Sequence, residues 1–231
     1  RDTSSIYPIN RVEKVGFVRE HLASITKEEI KEEPVFSPPA GEETKENTST
    51  VFQTVSESEK HNFSITDDNL GIGGPKEKFR NNMAAVNLLH ELEFDNRLAT
   101  PEEQEILSKY VGFGGLADAF DESKEAWSDE YKELIVTLSP DEYAAAREST
   151  LTAFYTPPVV IRAMYDALQN MGFSDGNILE PSCGTGHFIG MLPQSMQNSK
   201  FYGVEMDSIS GRIARQLYQK SNIAVQGYEK A

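Results

Sequence analysis

The sequence lacks the features that mark a secreted or membrane protein. It contains one cysteine, Cys183, which excludes an internal disulfide. No apolar run approaches the ~20 residues needed to cross a bilayer, and no charged-then-apolar leader marks an export signal. A single thiol suits the reducing cytosol, so we expect a cytoplasmic location and no membrane partner. We interpret Cys183 as a small residue in a tight turn and not as a catalytic thiol.

Basic residues are also scarce. The chain has 22 Lys and Arg against 37 Asp and Glu, which gives a formal net charge of −15. Because phosphate contacts need Lys and Arg, an acidic surface repels nucleic acid. Any contact with nucleic acid therefore needs either a local basic surface or other parts of a longer protein; we favour the second. Only 38% of the residues are hydrophobic, so we expect part of the chain not to pack.

Residues 1–61 carry few structural signals. Residues 28–33 form a charge run, and residues 34–50 are rich in Pro, Glu, Ser and Thr. Such a segment buries too little apolar surface to offset the entropy of ordering. We expect a linker or loosely ordered arm, with short strands over 11–18 and 51–55; the alternative is an arm docked on a partner domain.

Residues 62–150 are expected to form a helical segment that packs on the domain that follows. After an extended lead-in over 62–75, Pro75 can begin a helix because its missing N–H costs nothing there. Two sequences, Thr100–Glu103 and Ser139–Glu142, are capping boxes, and Ser128 can cap a further helix over 129–138. The helix after Thr100 is expected to carry Ile106, Leu107 and Tyr110 and to end at Gly112. The first helix has an apolar stripe made of Phe79, Met83, Val86, Leu89 and Leu92, which continues to Phe94.

The sequence Val111-Gly112-Phe113-Gly114-Gly115 predicts a flexible turn that places an aromatic side chain. Two interpretations stay open for it. It is a plain structural turn, which we favour, or it reaches toward a bound ligand.

Residues 151–231 have the pattern of an α/β domain. A helix is expected over 157–171, capped by Thr156, with Val160, Ile161, Met164 and Leu168 on one face. An apolar run at 178–179 then leads into the small-residue turn 182–186 and a helical segment over 187–192. A second apolar run, 201–204, ends in the acids Glu205 and Asp207. This order is that of the first βαβ unit of a doubly wound, Rossmann-like sheet.

The next helix is expected to be capped by Asp207 or Ser208, with Ile209, Ile213 and Leu217 facing inward. Arg212, Arg215 and Lys220 are expected on its solvated face. A third strand is predicted over 222–226.

The residues at the strand ends predict the chemistry of a ligand. Gly184 and Gly186 allow a positive φ and let a ligand lie against bare backbone. Glu205 can accept hydrogen bonds from both hydroxyls of a ribose. Glu180 lies just before the turn, where a carboxylate repels a pyrophosphate and suits a cationic amino group. His187 is interpreted as a helix-start residue near the ligand.

These motifs carry a resemblance. The sequence Glu180-Pro181-Ser182-Cys183-Gly184-Thr185-Gly186-His187-Phe188 resembles the first motif of S-adenosylmethionine-dependent DNA N6-adenine methyltransferases. Tyr202-Gly203-Val204-Glu205 resembles their second motif, and Ala153-Phe154-Tyr155-Thr156-Pro157-Pro158 is similar to their "F-Y-T-P" motif. The likeness covers about residues 62–231 and extends to large methyltransferase–helicase proteins of conjugative and phage-like elements. It implies an S-adenosylmethionine site made of Phe154, Tyr155, Thr156, Pro157, Glu180, Pro181, Ser182, Gly184, Gly186, Phe188, Glu205 and Met206.

The catalytic loop of that family is not found in this sequence. Amino methyltransferases of this class need a [D/N/S]-P-P-[Y/F/W] loop, whose polar side chain and carbonyl bind the amine of a flipped base. Ser37-Pro38-Pro39-Ala40 lacks the aromatic residue, and Thr156-Pro157-Pro158-Val159 belongs to the upstream motif. We therefore expect no catalytic or metal-binding residue here, and an N-terminal, cofactor-binding portion that does not methylate alone. Duplex DNA would bind through downstream regions.

Two alternatives stay open. One is a methyltransferase acting on RNA, protein or a small molecule, since the first and second motifs do not exclude it. The other is a scaffold or partner-binding module that binds no cofactor. The retention of Glu180, Gly184, Gly186 and Glu205 argues against the second alternative.

Overall fold

The computed structural model describes residues 60–66, 68–69 and 71–231. The predictions for the arm up to residue 59, including its two short strands, lie outside the described residues. No helix in the described part of the chain is long and apolar enough to cross a membrane.

Four α-helices lie in the described part of the chain before residue 150. They are α1 (Pro75–Phe94), α2 (Pro101–Leu107), α3 (Ser128–Thr137) and α4 (Pro140–Ser149). The predicted apolar stripe of α1 is confirmed from Phe79 to Leu92, where all five residues are buried, but it does not continue to Phe94, which is 91% exposed. Both capping boxes are confirmed as well, with Thr100 and Ser139 each accepting the backbone N–H three residues on.

Two predictions about these helices were wrong. Helix α2 ends at Leu107 and does not extend to Gly112. Tyr110 is buried, but it lies in the irregular stretch that follows the helix. Ser128 is the first residue of α3 and not its cap, because a 3-10 turn, Glu125–Trp127, leads directly into the helix. After Leu107 a turn replaces the last part of the predicted helix, and before Ser128 the 3-10 turn takes the place of the expected cap.

Helix α5 (Pro158–Asn170) differs from the prediction at its start and in its buried face. Its N-cap is Pro157, and Thr156 lies outside the helix and does not cap it. The residues that α5 buries are Ile161 and Tyr165, whereas Val160 and Met164 are exposed. Apolar side chains occur on both sides of this helix, so its periodicity alone does not identify the inward face.

The sheet that the described residues form contains three parallel strands in the order β1 (Asn177–Glu180), β2 (Lys200–Glu205), β3 (Asn222–Val225). The short helix α6 (His187–Gly190) follows the glycine turn, and α7 (Ser208–Leu217) joins β2 to β3. The predicted α/β class with consecutive parallel strands is confirmed. The wider doubly wound sheet stays a prediction.

One face of the sheet packs against α7, and among the described residues none covers Leu179 and Tyr202 on the opposite face. Leu179 and Tyr202 are register partners on neighbouring strands, and both are exposed, Leu179 by 52% and Tyr202 by 39%. They line a shallow hollow together with Val204, Ala224 and Tyr228. Parallel strands usually bury both faces, so this apolar strip is unusual for such a sheet.

Helix α7 connects the sheet to the helical segment. Asp207 caps it by accepting the N–H groups of Ile209 and Ser210, as predicted. Arg212 was predicted on a solvated face, and this was wrong. It donates to Glu93 of α1 at 2.7 Å and to Glu142 of α4. Its partners lie more than 60 positions away in sequence, so no local pattern indicates them.

Candidate functional site

Three sequence motifs meet at the turn between β1 and α6. Gly184 and Gly186 in that turn have φ of 56° and 87°, the left-handed region that favours glycine. Glu205, at the end of β2, and Tyr155, just before α5, both contact the turn at Gly184. The fold therefore brings together the three stretches that the sequence analysis singled out.

Glu205 is tied to the turn by its carboxylate. Its Oε2 accepts the backbone N–H of Gly184 at 2.7 Å, and its Oε1 accepts the N–H of Asp207 at 2.7 Å. A carboxylate has about four acceptor sites, so two stay available to a ligand diol. These two backbone hydrogen bonds fix the orientation of the carboxylate, and therefore the direction from which it could bind a diol.

Tyr155 lies beneath the glycine turn. A Cβ placed on Gly184 would lie 2.7 Å from Cε1 of Tyr155, so the ring occupies the space that any side chain there would need. The Tyr155 hydroxyl is 3.4 Å from the Ser210 hydroxyl, which in turn donates to Oδ2 of Asp207 at 3.2 Å. Burial raises the pKa of Tyr155 well above its usual range, so the phenol stays neutral.

His187 is buried beside Tyr155 and is not a surface residue. The two rings are 4.9 Å apart between centroids and tilted by 36°. His187 is 7% exposed, and its Nδ1 has no hydrogen-bond partner. Burial lowers the pKa of His187 to about 4, so the imidazole is neutral at pH 7.

Glu180 and Phe188 lie on the other side of the turn. Glu180 is half-buried, and this burial raises the pKa of its carboxyl. Phe188 packs against Tyr165 of α5, with ring centroids 6.0 Å apart, and its carbonyl accepts the Tyr165 hydroxyl at 2.6 Å. The sequence patterns did not indicate Tyr165 as a residue of the site. Its position four residues after the buried Ile161 is the signal that could have identified it.

The remaining predicted site residues lie at the surface. Phe154 is 78% exposed and Met206 is 79% exposed, on the two stretches that carry Tyr155 and Glu205. Pro157, Pro181 and Ser182 are exposed too, and Thr156 is half-buried. Contact between any of these residues and a cofactor stays a prediction.

The described residues hold no group of three or more His, Cys, Asp or Glu side chains that could bind a metal ion. Cys183 is buried, and burial raises the pKa of its thiol to about 12. Its sulfur lies 2.9 Å from the position of a Cβ on Gly203. The interpretation of Cys183 as a packing residue agrees with this protonated, enclosed thiol.

Comparison with known proteins finds two partial relatives. The chain is 26% identical over 149 residues to the defense against restriction protein B of Escherichia phage P1; the match covers 64% of this chain and 5% of that protein. It is 40% identical over 62 residues to the type II methyltransferase M.CvrRI of Paramecium bursaria Chlorella virus XZ-6E. This match covers 27% of this chain and 16% of that protein. No family model matches the chain, and no solved structure gives a significant match.

Proposed function

We propose that this chain is the S-adenosylmethionine-binding portion of a methyltransferase that modifies adenine N6 in DNA. The observation that carries the proposal is the meeting of three motifs at one turn. Tyr155 packs under Gly184, and Glu205 accepts the N–H of Gly184. These are the residues that the resemblance assigns to the cofactor.

The nucleoside end of the cofactor fits the acid at the tip of β2. Glu205 is held by two backbone N–H groups and keeps acceptor sites for both ribose hydroxyls. Met206, which follows it, is exposed and provides an apolar surface for the adenine ring. The space left by the missing Cβ of Gly184 is filled by the Tyr155 ring, so this glycine serves the packing of Tyr155 and not the approach of the sugar.

The methionine end of the cofactor fits the acid before the turn. The Glu180 carboxyl is half-buried, and burial raises its pKa. A cationic ammonium group beside it would stabilise the ionised form, whereas a second anion would not. This favours a ligand with an α-amino group over a dinucleotide. The exposed Phe154 and the adjoining Thr156 and Pro157 would border the same end.

The assignment to DNA adenine rests on the "F-Y-T-P" stretch and on the partial match to a type II methyltransferase. The match to a phage protein named for defense against restriction supports an origin in a mobile element. We further propose that the longer protein carries a fused helicase. The chain spans 16% of the type II methyltransferase and 5% of the phage protein. We therefore propose that duplex DNA binds through other parts of a longer protein. We propose that this protein acts in the cytoplasm.

We propose that cofactor binding and methyl transfer reside in different parts of that protein. S-adenosylmethionine supplies an electrophilic methyl group when bound. The residues of this chain orient it: Glu205 fixes the ribose, and Glu180 fixes the amino group. The 231 residues contain no Asn/Asp-Pro-Pro-aromatic sequence to hold the target amine. Binding without transfer is therefore the expected behaviour of this chain.

The test is a calorimetric titration of S-adenosylmethionine into this chain, into Glu205→Ala and into the control Asp129→Ala. Asp129 is a matched carboxylate on α3 with a side chain 97% exposed. Losing the charged ribose contact costs about 1.5–3 kcal/mol, or roughly 10- to 150-fold in affinity. Asp129→Ala is expected to bind like the parent. Equal affinities for all three proteins would disprove the assigned ribose contact.

A second experiment separates the alternatives. Labelled cofactor is incubated with duplex DNA, with RNA, and with this chain or the complete reading frame. We expect transfer to DNA adenine by the complete protein only. Transfer to RNA would support the RNA alternative, and transfer to DNA by the 231 residues alone would contradict the division proposed above.

A further inference from the structure

The turn over residues 111–115 is held by one buried side chain of α1. Asn82 is fully buried, and its Nδ2 donates to the carbonyl of Gly112 at 2.7 Å. Its Oδ1 accepts the N–H of Val111 at 2.9 Å. Both ends of the amide are therefore used to fix two adjacent backbone groups of the turn. A buried amide with matched partners on both atoms defines one backbone conformation.

This turn packs against the stretch that carries Tyr155. A Cβ on Gly112 would lie 3.1 Å from the Cβ of Ala153 and 3.3 Å from the Tyr155 hydroxyl oxygen. A Cβ on Gly114 would lie only 2.1 Å from the Ala153 carbonyl oxygen, and Gly115 donates to the Thr150 carbonyl at 3.1 Å. Two glycines thus leave the backbone bare where it touches this stretch.

Tyr155 transmits this contact to the glycine turn of the candidate site. Its ring fills the space under Gly184, and its hydroxyl is 3.4 Å from that of Ser210. The contacts form a continuous series from Asn82 through Gly112 and Tyr155 to Gly184.

We infer that Asn82 is a positioning residue for the candidate cofactor site and that the turn 111–115 belongs to that site. Asn82 acts on the backbone of Gly184 through Tyr155 and does not itself meet a ligand. What the turn at Gly184 binds rests on the proposed function, but its dependence on Asn82 does not. The helical segment before residue 150 is then part of the binding machinery and not only a cover for the sheet.

The test measures backbone hydrogen exchange in the 231-residue chain without ligand, comparing the parent with Asn82→Asp. The carboxylate still accepts the Val111 N–H but has no hydrogen to donate to Gly112. The matched control is Gln104→Glu, the same amide-to-acid change at a buried residue of α2, which donates to the carbonyls of Gln216 and Leu217. We expect Asn82→Asp to speed exchange over residues 182–188 by at least about fivefold. We expect Gln104→Glu to act on 213–221 instead.

Two results would overturn the inference. One is faster exchange over 111–115 with unchanged exchange over 182–188. The other is an equal effect of both variants on 182–188. If circular dichroism shows that Asn82→Asp does not fold, Gly112→Ala replaces it. At a φ of 68° its methyl group would lie 3.1 Å from the Cβ of Ala153 and 3.3 Å from the Tyr155 hydroxyl oxygen, so it strains the turn where the turn meets this stretch. The same two exchange patterns then decide.

A second readout connects the inference to the ligand. Where the parent binds S-adenosylmethionine, Asn82→Asp is expected to weaken its affinity by about fivefold or more, with Gln104→Glu close to the parent. If the parent binds no cofactor while the exchange pattern is as expected, the proposed function fails and the role of Asn82 stands. If the parent binds the cofactor but the expected exchange pattern is absent, the proposed function stands and the role of Asn82 fails.

Discussion

The backbone N–H of Gly184 donates to the carboxylate of Glu205 at 2.7 Å, across 21 positions of sequence. The acid therefore has a structural task in addition to its proposed ribose contact. Glu205→Gln retains the size of the side chain and one acceptor oxygen, but its NH₂ group cannot accept a second backbone N–H.

We expect Glu205→Gln to lower the free energy of unfolding by about 1–3 kcal/mol, because one of two half-buried backbone donors loses its partner. Urea unfolding of the chain without ligand measures this effect separately from cofactor binding. An unchanged midpoint would show that the carboxylate contributes nothing to the fold.

The space under Gly184 predicts the effect of a single methyl group. Gly184→Ala places a Cβ 2.7 Å from the Tyr155 ring at a φ of 56°. Gly172→Ala is the matched control, because its φ is 89° and nothing lies within 4 Å of its Cβ. The control should lose only the stability that backbone strain costs, about 1–2 kcal/mol.

We expect Gly184→Ala to cost about 1–3 kcal/mol more than the control, since the methyl group overpacks against Tyr155. Thermal unfolding of both variants and the parent compares the losses. Equal losses would mean that the Tyr155 ring moves aside freely.

His187 makes stability depend on pH. Burial lowers its pKa from 6.5 to about 4, so the folded protein takes up this proton later than the unfolded chain as the pH falls. The stability that the neutral imidazole contributes is complete above pH 6.5 and is lost between pH 6.5 and 4. Between pH 7 and 5 the loss is about 2 kcal/mol.

Urea unfolding at pH 7 and pH 5 measures this difference for the parent and for His187→Gln, which does not titrate. The variant is expected to lose about 2 kcal/mol less over this interval than the parent. A parallel decline of both proteins would show that other groups cause the acid sensitivity.

Glu142 joins three helices. Its carboxylate accepts the His90 ring nitrogen of α1 at 2.9 Å and the Arg212 guanidinium of α7, in addition to its own cap on α4. Although burial opposes ionisation, these hydrogen bonds lower the pKa of Glu142 from 4.5 to about 2. The stability contributed by this depressed acid is present above pH 4.5 and is lost as the pH falls toward 2.

We expect Glu142→Gln to cost about 1–3 kcal/mol at pH 7 and to flatten the acid limb below pH 4.5. Glu103→Gln is the matched control, because Glu103 occupies the same capping-box position and pairs with Arg97 on a more exposed surface. Its cost should be below about 1 kcal/mol. Similar losses for both variants would contradict the joining role of Glu142.

The sequence identified the parts of the fold that depend on local signals. The capping boxes at Thr100 and Ser139, the Asp207 cap and the three strands all follow from residues a few positions apart. The inward face of α5 and the partners of Arg212 depend on what packs from elsewhere in the chain, and no local pattern encodes that. The same holds for Tyr155, whose motif was recognised but whose place under Gly184 requires the folded backbone.

The open strip of Leu179 and Tyr202 has a consequence for the behaviour of the protein in solution. Two exposed apolar side chains in register form a surface that favours association, whereas a net charge of −15 causes electrostatic repulsion between copies of the chain. Repulsion between molecules weakens as salt shortens the Debye length, but apolar attraction does not. We therefore expect ionic strength to control association, with separate molecules in dilute buffer and association through the exposed Leu179 and Tyr202 in concentrated salt.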